Sequence, residues 1–153
     1  MRFDPDQLRH SSGRAFSVER TVRFQDVDAA GIVFHPRILE YFHDTFCEFL
    51  ARHGHPLDRV LREKQWGSPL SHAEADFFLP LRFADRIAVE MVRVDVALSE
   101  VTVGHRVRRL EDGSVAAVGQ TVHVFVDWAA VRRIEVPHGL RAAFEELTDN
   151  SDQ

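Results

Sequence analysis

One segment of the sequence carries apolar side chains at steps of three and four residues. This spacing predicts a helix with a single wide apolar face. Pro36 lies in its first turn and Gly54 lies just beyond its end at Arg52, and both residues are typical of helix boundaries. A chain of 153 residues can cover such a face only with a sheet of its own. The apolar positions are Ile38, Leu39, Phe42, Phe46, Phe49 and Leu50.

Alternating apolar and polar residues predict the strands of this sheet. The parity of the apolar residues changes within 86–98, which predicts a bulge or a strong bend. We therefore expect an α+β fold, in which a curved antiparallel sheet of about five strands wraps around one long central helix. The predicted strands are 15–24, 67–80, 86–98, 101–109 and 115–127, and a last short helix is expected at 138–147.

Length and charge limit the organisation and the partners of the chain. The sequence predicts a single domain over 15–147, a poorly ordered lead over 1–14 and a flexible tail over 148–153. A net charge of -5 would repel a nucleic-acid backbone, and no apolar run is long enough to span a membrane. The one cysteine, Cys47, rules out an internal disulfide and favours the cytoplasm.

An unusual segment, Asp26–Pro36, joins the first strand to the central helix. It contains two acids separated by one residue, a glycine, and a His-Pro pair where the helix begins. The segment resembles the signature of the 4-hydroxybenzoyl-CoA thioesterase family almost position for position. The resemblance implies a hotdog fold and hydrolysis of an acyl-CoA thioester without a cofactor. It also implies a homodimer or homotetramer with the active site at the subunit interface.

The resemblance further implies that Asp28 is the catalytic carboxylate. A carboxylate can attack a thioester carbonyl to form an anhydride, or it can activate a water molecule as a general base, and the sequence leaves both routes open. His35 is expected to polarise the carbonyl. Gly31, Phe34 and Pro36 are expected to shape the loop around the oxyanion, with further N–H donors from the start of the helix.

The substrate site departs from the family pattern in several places. Phe24 stands where many bacterial relatives carry a tyrosine, and Arg37–Leu39 replaces the usual tyrosine just inside the helix. We expect Phe24 and His43 to line the substrate pocket. The basic cluster of the aromatic-CoA branch is absent from residues 96–100, so other arginines must bind the CoA phosphates. The candidates are Arg106, Arg108, Arg109, Arg132 and Arg133.

Three acidic or nucleophilic side chains near the motif have other interpretations. Asp26 is expected to fix the loop by accepting hydrogen bonds from backbone N–H groups. Glu48 could replace Asp28 as the acid, because another branch of the fold places its carboxylate on the helix. Cys47 is expected to be a small core residue, since nothing nearby favours a reactive thiolate.

Two other functions compete with hydrolysis. Nine histidines suggest a metal enzyme, yet His105, His123 and the pair at 53 and 55 have no recognised ligand spacing, so no metal site is predicted. A non-hydrolytic acyl-CoA or acyl-carrier binding protein, or a dehydratase-type hotdog protein, is the alternative. The segments Ala30–Val33 and Ile134–Pro137 favour an aromatic acyl group over a short-chain aliphatic one. CoA and an acyl carrier protein are not distinguished as the thiol carrier.

Overall fold

A computed structural model describes residues 2–148, and its central feature is a five-stranded antiparallel sheet in the order β1-β3-β4-β5-β2. One long helix, α2, lies across this sheet, which is the predicted α+β architecture. The remaining helices are short, and a two-stranded ribbon of β6 and β7 stands apart. The elements are α1 (Pro5–Arg9), β1 (Phe16–Thr21), α2 (Pro36–Arg52), α3 (Leu57–Arg62), β2 (Leu70–Phe77), β3 (Arg86–Val96), β4 (Glu100–Arg109), β5 (Val115–Val124), β6 (Val126–Asp127), β7 (Arg132–Arg133) and α4 (His138–Thr148).

Helix α2 begins and ends at the predicted residues and buries the predicted stripe. Phe42, Phe46 and Phe49 are each at most 1% exposed. Burial of one such side chain contributes about 2–3 kcal/mol to folding. Phe144 of α4 stacks on Phe49 at a centroid distance of 5.0 Å and extends the core beyond the end of α2. Leu39, at the edge of the stripe, is only partly buried.

The sheet is bent by irregularities in its strand pairing. The register of β3 against β4 shifts between Met91 and Arg93, which confirms the bulge predicted from the change of parity. Similar shifts occur at Leu70 in β2 and at Val107 in β4. Each extra residue increases the local twist, so the sheet can curve around α2.

The first residues differ from the poorly ordered lead that the sequence predicts. Asp4 and Gln7 form a capping box around α1, and the side chain of Leu8 is buried against Val92 and Val118. The amide of Gln120 exchanges two hydrogen bonds with the backbone of Phe3, at 2.8 and 2.9 Å. Apolar burial and these bonds order residues 2–14 on the sheet face opposite α2, which we call the outer face. Most of the predicted tail, 149–153, lies outside the described residues.

After β4, one predicted strand is interrupted in the structure. The strand expected over 115–127 breaks at buried Phe125, whose backbone bonds to Ser99 and Ile134 instead of continuing the ladder. Within residues 2–148, no helix is long and apolar enough to cross a membrane.

Candidate active site

The segment 26–34 folds back on itself as a tight turn, which we call the motif hairpin. The N–H of Phe34 donates to the carbonyl of Asp26, and the N–H of Asp28 donates to the carbonyl of Ile32, both at 2.9 Å. At the tip, Gly31 has a φ of +81° and donates its N–H to the carbonyl of Asp28 at 3.0 Å. Glycine adopts this left-handed conformation without a steric penalty. The motif hairpin therefore holds Asp28 at its tip.

The carboxylate of Asp28 is exposed to solvent and bonded on one side only. Its Oδ1 accepts a hydrogen bond from the N–H of Ala30 at 2.9 Å and a longer one from the N–H of Ile32 at 3.4 Å. Within residues 2–148, its Oδ2 has no hydrogen-bond partner. The carboxylate is thus oriented by the backbone, and one oxygen remains available to attack a carbonyl or to accept a proton from water.

The neighbouring carboxylate of Asp26 is buried, with only 1% of the side chain exposed. Its Oδ2 accepts hydrogen bonds from the backbone N–H of Arg23 at 3.0 Å and from the hydroxyl of Tyr41 at 2.9 Å. The backbone bond confirms the predicted role of Asp26. The sequence analysis did not single out Tyr41, although a tyrosine within an apolar stripe needs a partner for its hydroxyl.

His35 precedes the first residue of α2, and most donors at this helix start are already used. The N–H of Arg37 donates to Phe34 at 2.8 Å and that of Ile38 donates to His35 at 3.2 Å, while Pro36 has no N–H. The amide N–H of His35 makes no hydrogen bond to a described residue. The expected row of oxyanion donors is therefore reduced to the backbone N–H and the ring of His35.

An apolar cleft of about 300 Å³ opens beside His35. The N–H of Val33 donates to the carbonyl of Leu81 at 2.8 Å and ties the motif hairpin to the far wall of the cleft. Asp28 lies outside the lining and is connected to it through Ile32. A cleft of this kind suits an apolar or aromatic group. Its lining consists of Ile32, Val33, His35, Ile38, Phe77, Phe78, Leu79, Pro80, Leu81, Ala116 and Ala117.

The predicted pocket residues His43 and Phe24 lie elsewhere. His43 lines a second, smaller cavity of about 190 Å³, together with Leu70 at the opposite end of β2 from Phe77. The side chain of Phe24 is 76% exposed and makes an edge contact with Phe83 at 5.8 Å. Neither residue borders the main cleft of its own chain, so their contact with substrate stays a prediction.

The helix side chains that could compete with Asp28 are poorly suited to do so. Cys47 Sγ lies 3.5 Å from His43 Nε2. Burial, and then the nearby charge of Asp44, raises the pKa of the Cys47 thiol, which disfavours the reactive thiolate. Glu48 pairs with Arg52 at 3.4 Å on the exposed side of α2.

Four of the five arginines predicted for CoA binding have carboxylate partners, three of them at 3.0 Å or less. Arg106 and Arg108 share the buried carboxylate of Glu90, at 2.7 and 3.0 Å, and Arg106 also donates to the backbone of Ser11. The guanidinium of Arg106 thereby holds the N-terminal segment on the outer face of the sheet. Arg109 binds Asp112 on the turn after β4. Arg132 and Arg133 of β7 are exposed, and Arg133 has only a 3.6 Å contact with Glu100.

Two histidines and a threonine form a polar group inside the core, which we call the buried histidine network. His105 Nε2 and His123 Nε2 each lie 3.0 Å from Thr121 Oγ1. The rings stack on Phe42 at 4.5 Å and on Phe46 at 3.7 Å. Burial lowers the pKa of each histidine to about 3, so both are neutral at physiological pH.

The hydrogen bonds of the network run in one direction. We assign the N–H of His105 as the donor to Thr121, and the hydroxyl of Thr121 as the donor to His123. His123 then donates from its other ring nitrogen to the backbone of Ser68. No set of three or more His, Cys, Asp or Glu side chains converges as metal ligands within residues 2–148.

Sequence comparison relates the chain to a family of known proteins. The family described as the thioesterase-like superfamily has a model that matches residues 22–144. A 1,4-dihydroxy-2-naphthoyl-CoA hydrolase of Prochlorococcus marinus is 31% identical over 130 residues, covering 80% of this chain and 83% of the relative. The corresponding hydrolase of Rippkaea orientalis is 29% identical over 134 residues, covering 87% and 96%.

Solved structures share the architecture. A 1,4-dihydroxy-2-naphthoyl-CoA thioesterase from Synechocystis aligns with a TM-score of 0.81 at 24% identity, covering 88% of this chain and 98% of that one. A gentisyl-coenzyme A thioesterase aligns with a TM-score of 0.74 at 28% identity, covering 84% and 98%.

Proposed function

This chain belongs to the thioesterase-like superfamily, and we propose that it hydrolyses a hydroxylated aromatic acyl-CoA with Asp28 as its catalytic carboxylate. It is an acyl-CoA thioesterase with the hotdog fold, so the proposal concerns the acyl group, the catalytic residues and the assembly. One observation carries it. Backbone N–H groups hold one oxygen of the exposed Asp28 carboxylate, while the other oxygen has no hydrogen-bond partner within residues 2–148.

Asp28 can act in two ways that give the same products. Its Oδ2 can attack the thioester carbon, after which the CoA thiolate leaves and water cleaves the resulting anhydride. Alternatively, Oδ2 accepts a proton from water as that water adds to the carbon, and the thiolate leaves from the tetrahedral intermediate. In both routes the carbonyl oxygen becomes negative, and His35 supplies the N–H that stabilises it. In this proposal, Gly31, Phe34 and Pro36 set the backbone path between Asp28 and His35.

The proposed acyl group follows from the cleft and from the relatives. The cleft beside His35 has apolar walls that include Ile32 and the ring of Phe77. Flat aromatic groups suit such walls, because they bury a large apolar area with few rotatable bonds. The relatives named above are hydrolases of naphthoyl- and gentisyl-CoA. We therefore assign an aromatic acyl group rather than a short aliphatic one.

A second copy of the chain would complete the site. Strand β2 lies at the edge of the sheet, and most of its side chains are exposed. An unpaired edge strand can pair with the same strand of another copy around a twofold axis. Antiparallel pairing of this kind places the Phe77 end of one β2 beside the Leu70 end of the other. The cleft beside His35 would then face the smaller cavity that contains His43 of the partner subunit.

We accordingly propose a homodimer or homotetramer with the active site between subunits. In this arrangement, His43 would meet a polar substituent of the aromatic ring. Arg132 and Arg133 would bind the CoA phosphates, since Arg106 and Arg108 are engaged by Glu90. The proposal includes no cofactor, no nucleic acid and no membrane, and it places the enzyme in the cytoplasm.

A panel of aromatic and aliphatic acyl-CoAs, assayed by release of free thiol, tests the proposal. We expect Asp28→Asn to lower kcat by about 1000-fold. Asp58→Asn, an exposed acid far from the motif hairpin in sequence, is the matched control and should keep wild-type turnover. Incubation with EDTA should leave turnover unchanged. Wild-type turnover by Asp28→Asn would refute the catalytic role.

The same assay separates hydrolysis from the alternative function. A non-hydrolytic or dehydratase-type protein would bind acyl-CoA, measurable by calorimetry, without releasing thiol. Sedimentation of the purified protein tests the assembly. A monomer with full activity would contradict an active site between subunits.

A further inference from the structure

Beneath the motif hairpin, the hydroxyl of Tyr41 meets the carboxylate of Asp26 in a fully enclosed position. Each side chain is only 1% exposed, and the distance from Tyr41 Oη to Asp26 Oδ2 is 2.9 Å. We propose that Tyr41 is a positioning residue for the hydrolytic reaction, because its hydrogen bond to Asp26 fixes the motif hairpin against α2. This inference rests on the proposed function, since it concerns the placement of Asp28 and His35.

The ring of Tyr41 is itself held in one orientation. The guanidinium of Arg20 lies 4.3 Å from the ring centroid and pairs with Asp44 at 2.8 Å, so a cation covers one face of the ring. Burial, and then the hydrogen bond to Asp26, raises the pKa of Tyr41 above its ordinary value. The hydroxyl therefore keeps its proton and donates to Asp26 throughout the pH range in which an enzyme operates.

Asp26 transmits this contact to both ends of the motif hairpin. Its side chain accepts the N–H of Arg23 at the entry, and its backbone carbonyl accepts the N–H of Phe34 at the exit. Asp28 follows two residues after Asp26, and His35 follows Phe34 directly. A displacement of Asp26 would therefore move both residues proposed for the chemistry.

The other contacts of the carboxylate are longer. Asp26 Oδ1 makes no hydrogen bond within residues 2–148, and the guanidinium groups of Arg37 and Arg23 lie 3.8 Å from Oδ1 and 3.9 Å from Oδ2. Without the hydroxyl of Tyr41, a buried carboxylate would retain one backbone donor and would gain by moving toward water. The motif hairpin would move with it, and misplacement of a reacting group by about 1 Å can cost 100-fold in rate.

Tyr41→Phe removes only the hydroxyl and is the first test. We expect kcat to fall by about 30-fold while KM for acyl-CoA changes by less than about twofold, because the substrate cleft is intact and the reacting groups are displaced. Thr45→Val is the matched control. Thr45 is buried one turn further along α2 and donates to the carbonyl of Tyr41 at 2.9 Å, so this variant loses a buried hydrogen bond without touching Asp26. It should keep the wild-type kcat.

Asp26→Leu is measured alongside, because it keeps the approximate shape of the side chain and removes the oxygen to which Tyr41 donates. It should lower kcat at least as much as Tyr41→Phe, and the double variant should lose no more than Asp26→Leu alone, since both changes break one contact. Wild-type kcat in both single variants, or losses that multiply in the double variant, would overturn the proposal.

Amide hydrogen exchange provides a readout that is independent of activity. In Tyr41→Phe, the amides of Asp28 and Gly31 should exchange at least about tenfold faster, while those of the middle of α2 should not change. If the wild-type protein cleaves no thioester, the proposed function fails, yet the exchange rates still decide whether Tyr41 fixes the hairpin. Unchanged rates for Asp28 and Gly31 would overturn the positioning role.

Discussion

The motif hairpin and the buried histidine network differ in the exposure and hydrogen bonding of their polar side chains. At the hairpin, Asp28 is exposed, and one of its carboxylate oxygens has no partner within residues 2–148. Inside the core, His105 and His123 are nearly inaccessible, and one hydroxyl links their rings. The first arrangement leaves hydrogen-bonding capacity for a substrate, whereas the second uses almost all of it for the fold. This contrast is the reason that Asp28, rather than either core histidine, is the residue proposed for the chemistry.

The largest effect expected from this contrast is a loss of unfolding free energy at acidic pH. Burial lowers the pKa of both histidines to about 3, whereas in the unfolded chain each takes up a proton near its ordinary value of 6.5. Stability is therefore complete above pH 6.5 and declines as the pH falls. Two groups lose roughly 3 kcal/mol of unfolding free energy between pH 6.5 and about pH 5. Urea unfolding at a series of pH values measures this loss.

Two variants assign the acid effect to the network. The slope of the unfolding free energy against pH gives the number of protons taken up on unfolding. His105→Leu should reduce this number by about one, whereas His138→Gln, at an exposed position, should not change it. A flat unfolding free energy between pH 7 and pH 5 in the wild type would mean that the core histidines do not behave as described.

Alanine substitutions of Gly119, beside the buried histidine network, and of Gly31, in the motif hairpin, compare the packing of the two regions. A Cβ at Gly119 would meet the backbone carbonyl of Glu74 and the ring of Phe42, which stacks on His105. Neither can move easily, so Gly119→Ala should cost about 3 kcal/mol in chemical denaturation. A loss below about 1 kcal/mol would show that the core beside the network adapts as readily as a surface loop.

The hydroxyl that joins the two histidines has a smaller expected effect. Thr121→Val keeps the side-chain volume and leaves both Nε2 atoms without a partner, so it should lower the unfolding free energy by about 2 kcal/mol. Activity per folded molecule should stay at the wild-type level, because Thr121 lines neither the cleft beside His35 nor the cavity that contains His43, although His123 borders the second of these. A large fall in kcat without loss of stability would instead connect the network to the reaction.

The smallest effect on stability is expected at the tip of the motif hairpin. Among residues 2–148, no atom lies within 4 Å of a Cβ placed on Gly31, so Gly31→Ala should cost only the strain of its positive φ, about 1 kcal/mol. The activation free energy should rise by more than the unfolding free energy falls, because the strain acts on the turn that holds Asp28. Calorimetry and kcat measured on the same preparation separate the two effects. Equal changes in the two free energies would contradict the distinction.

The fold could be predicted where the sequence signals are local and repeated. Pro36 and Arg52 bound α2 as expected, because a long apolar stripe and its boundary residues agree. The change of parity in β3 correctly placed its bulge. Helix α1 was missed because it is only five residues long, and it gains its stability from the burial of Leu8 in a distant part of the sheet.

The site was predictable only as far as its motif. The sequence identified the segment that holds Asp28 and the backbone bond of Asp26, since these contacts are made within a few residues. It could not show that Tyr41 reaches Asp26, because that contact joins a loop to a helix. Nor could it show the ion pair between Arg106 and Glu90, because that pair depends on the register of β3 against β4, in which the two residues lie directly opposite each other.

The segment that the family model matches is shorter than the segment that packs around the sheet. The family match begins at residue 22, immediately after β1 ends. A gene fragment trimmed to that match would lose the strand that borders β3 from Phe16 to Thr21, together with the cover on the outer face of the sheet. Libraries and chimeras of this enzyme should therefore keep Phe3, Leu8 and Phe16–Thr21, which contact the sheet, rather than begin at residue 22.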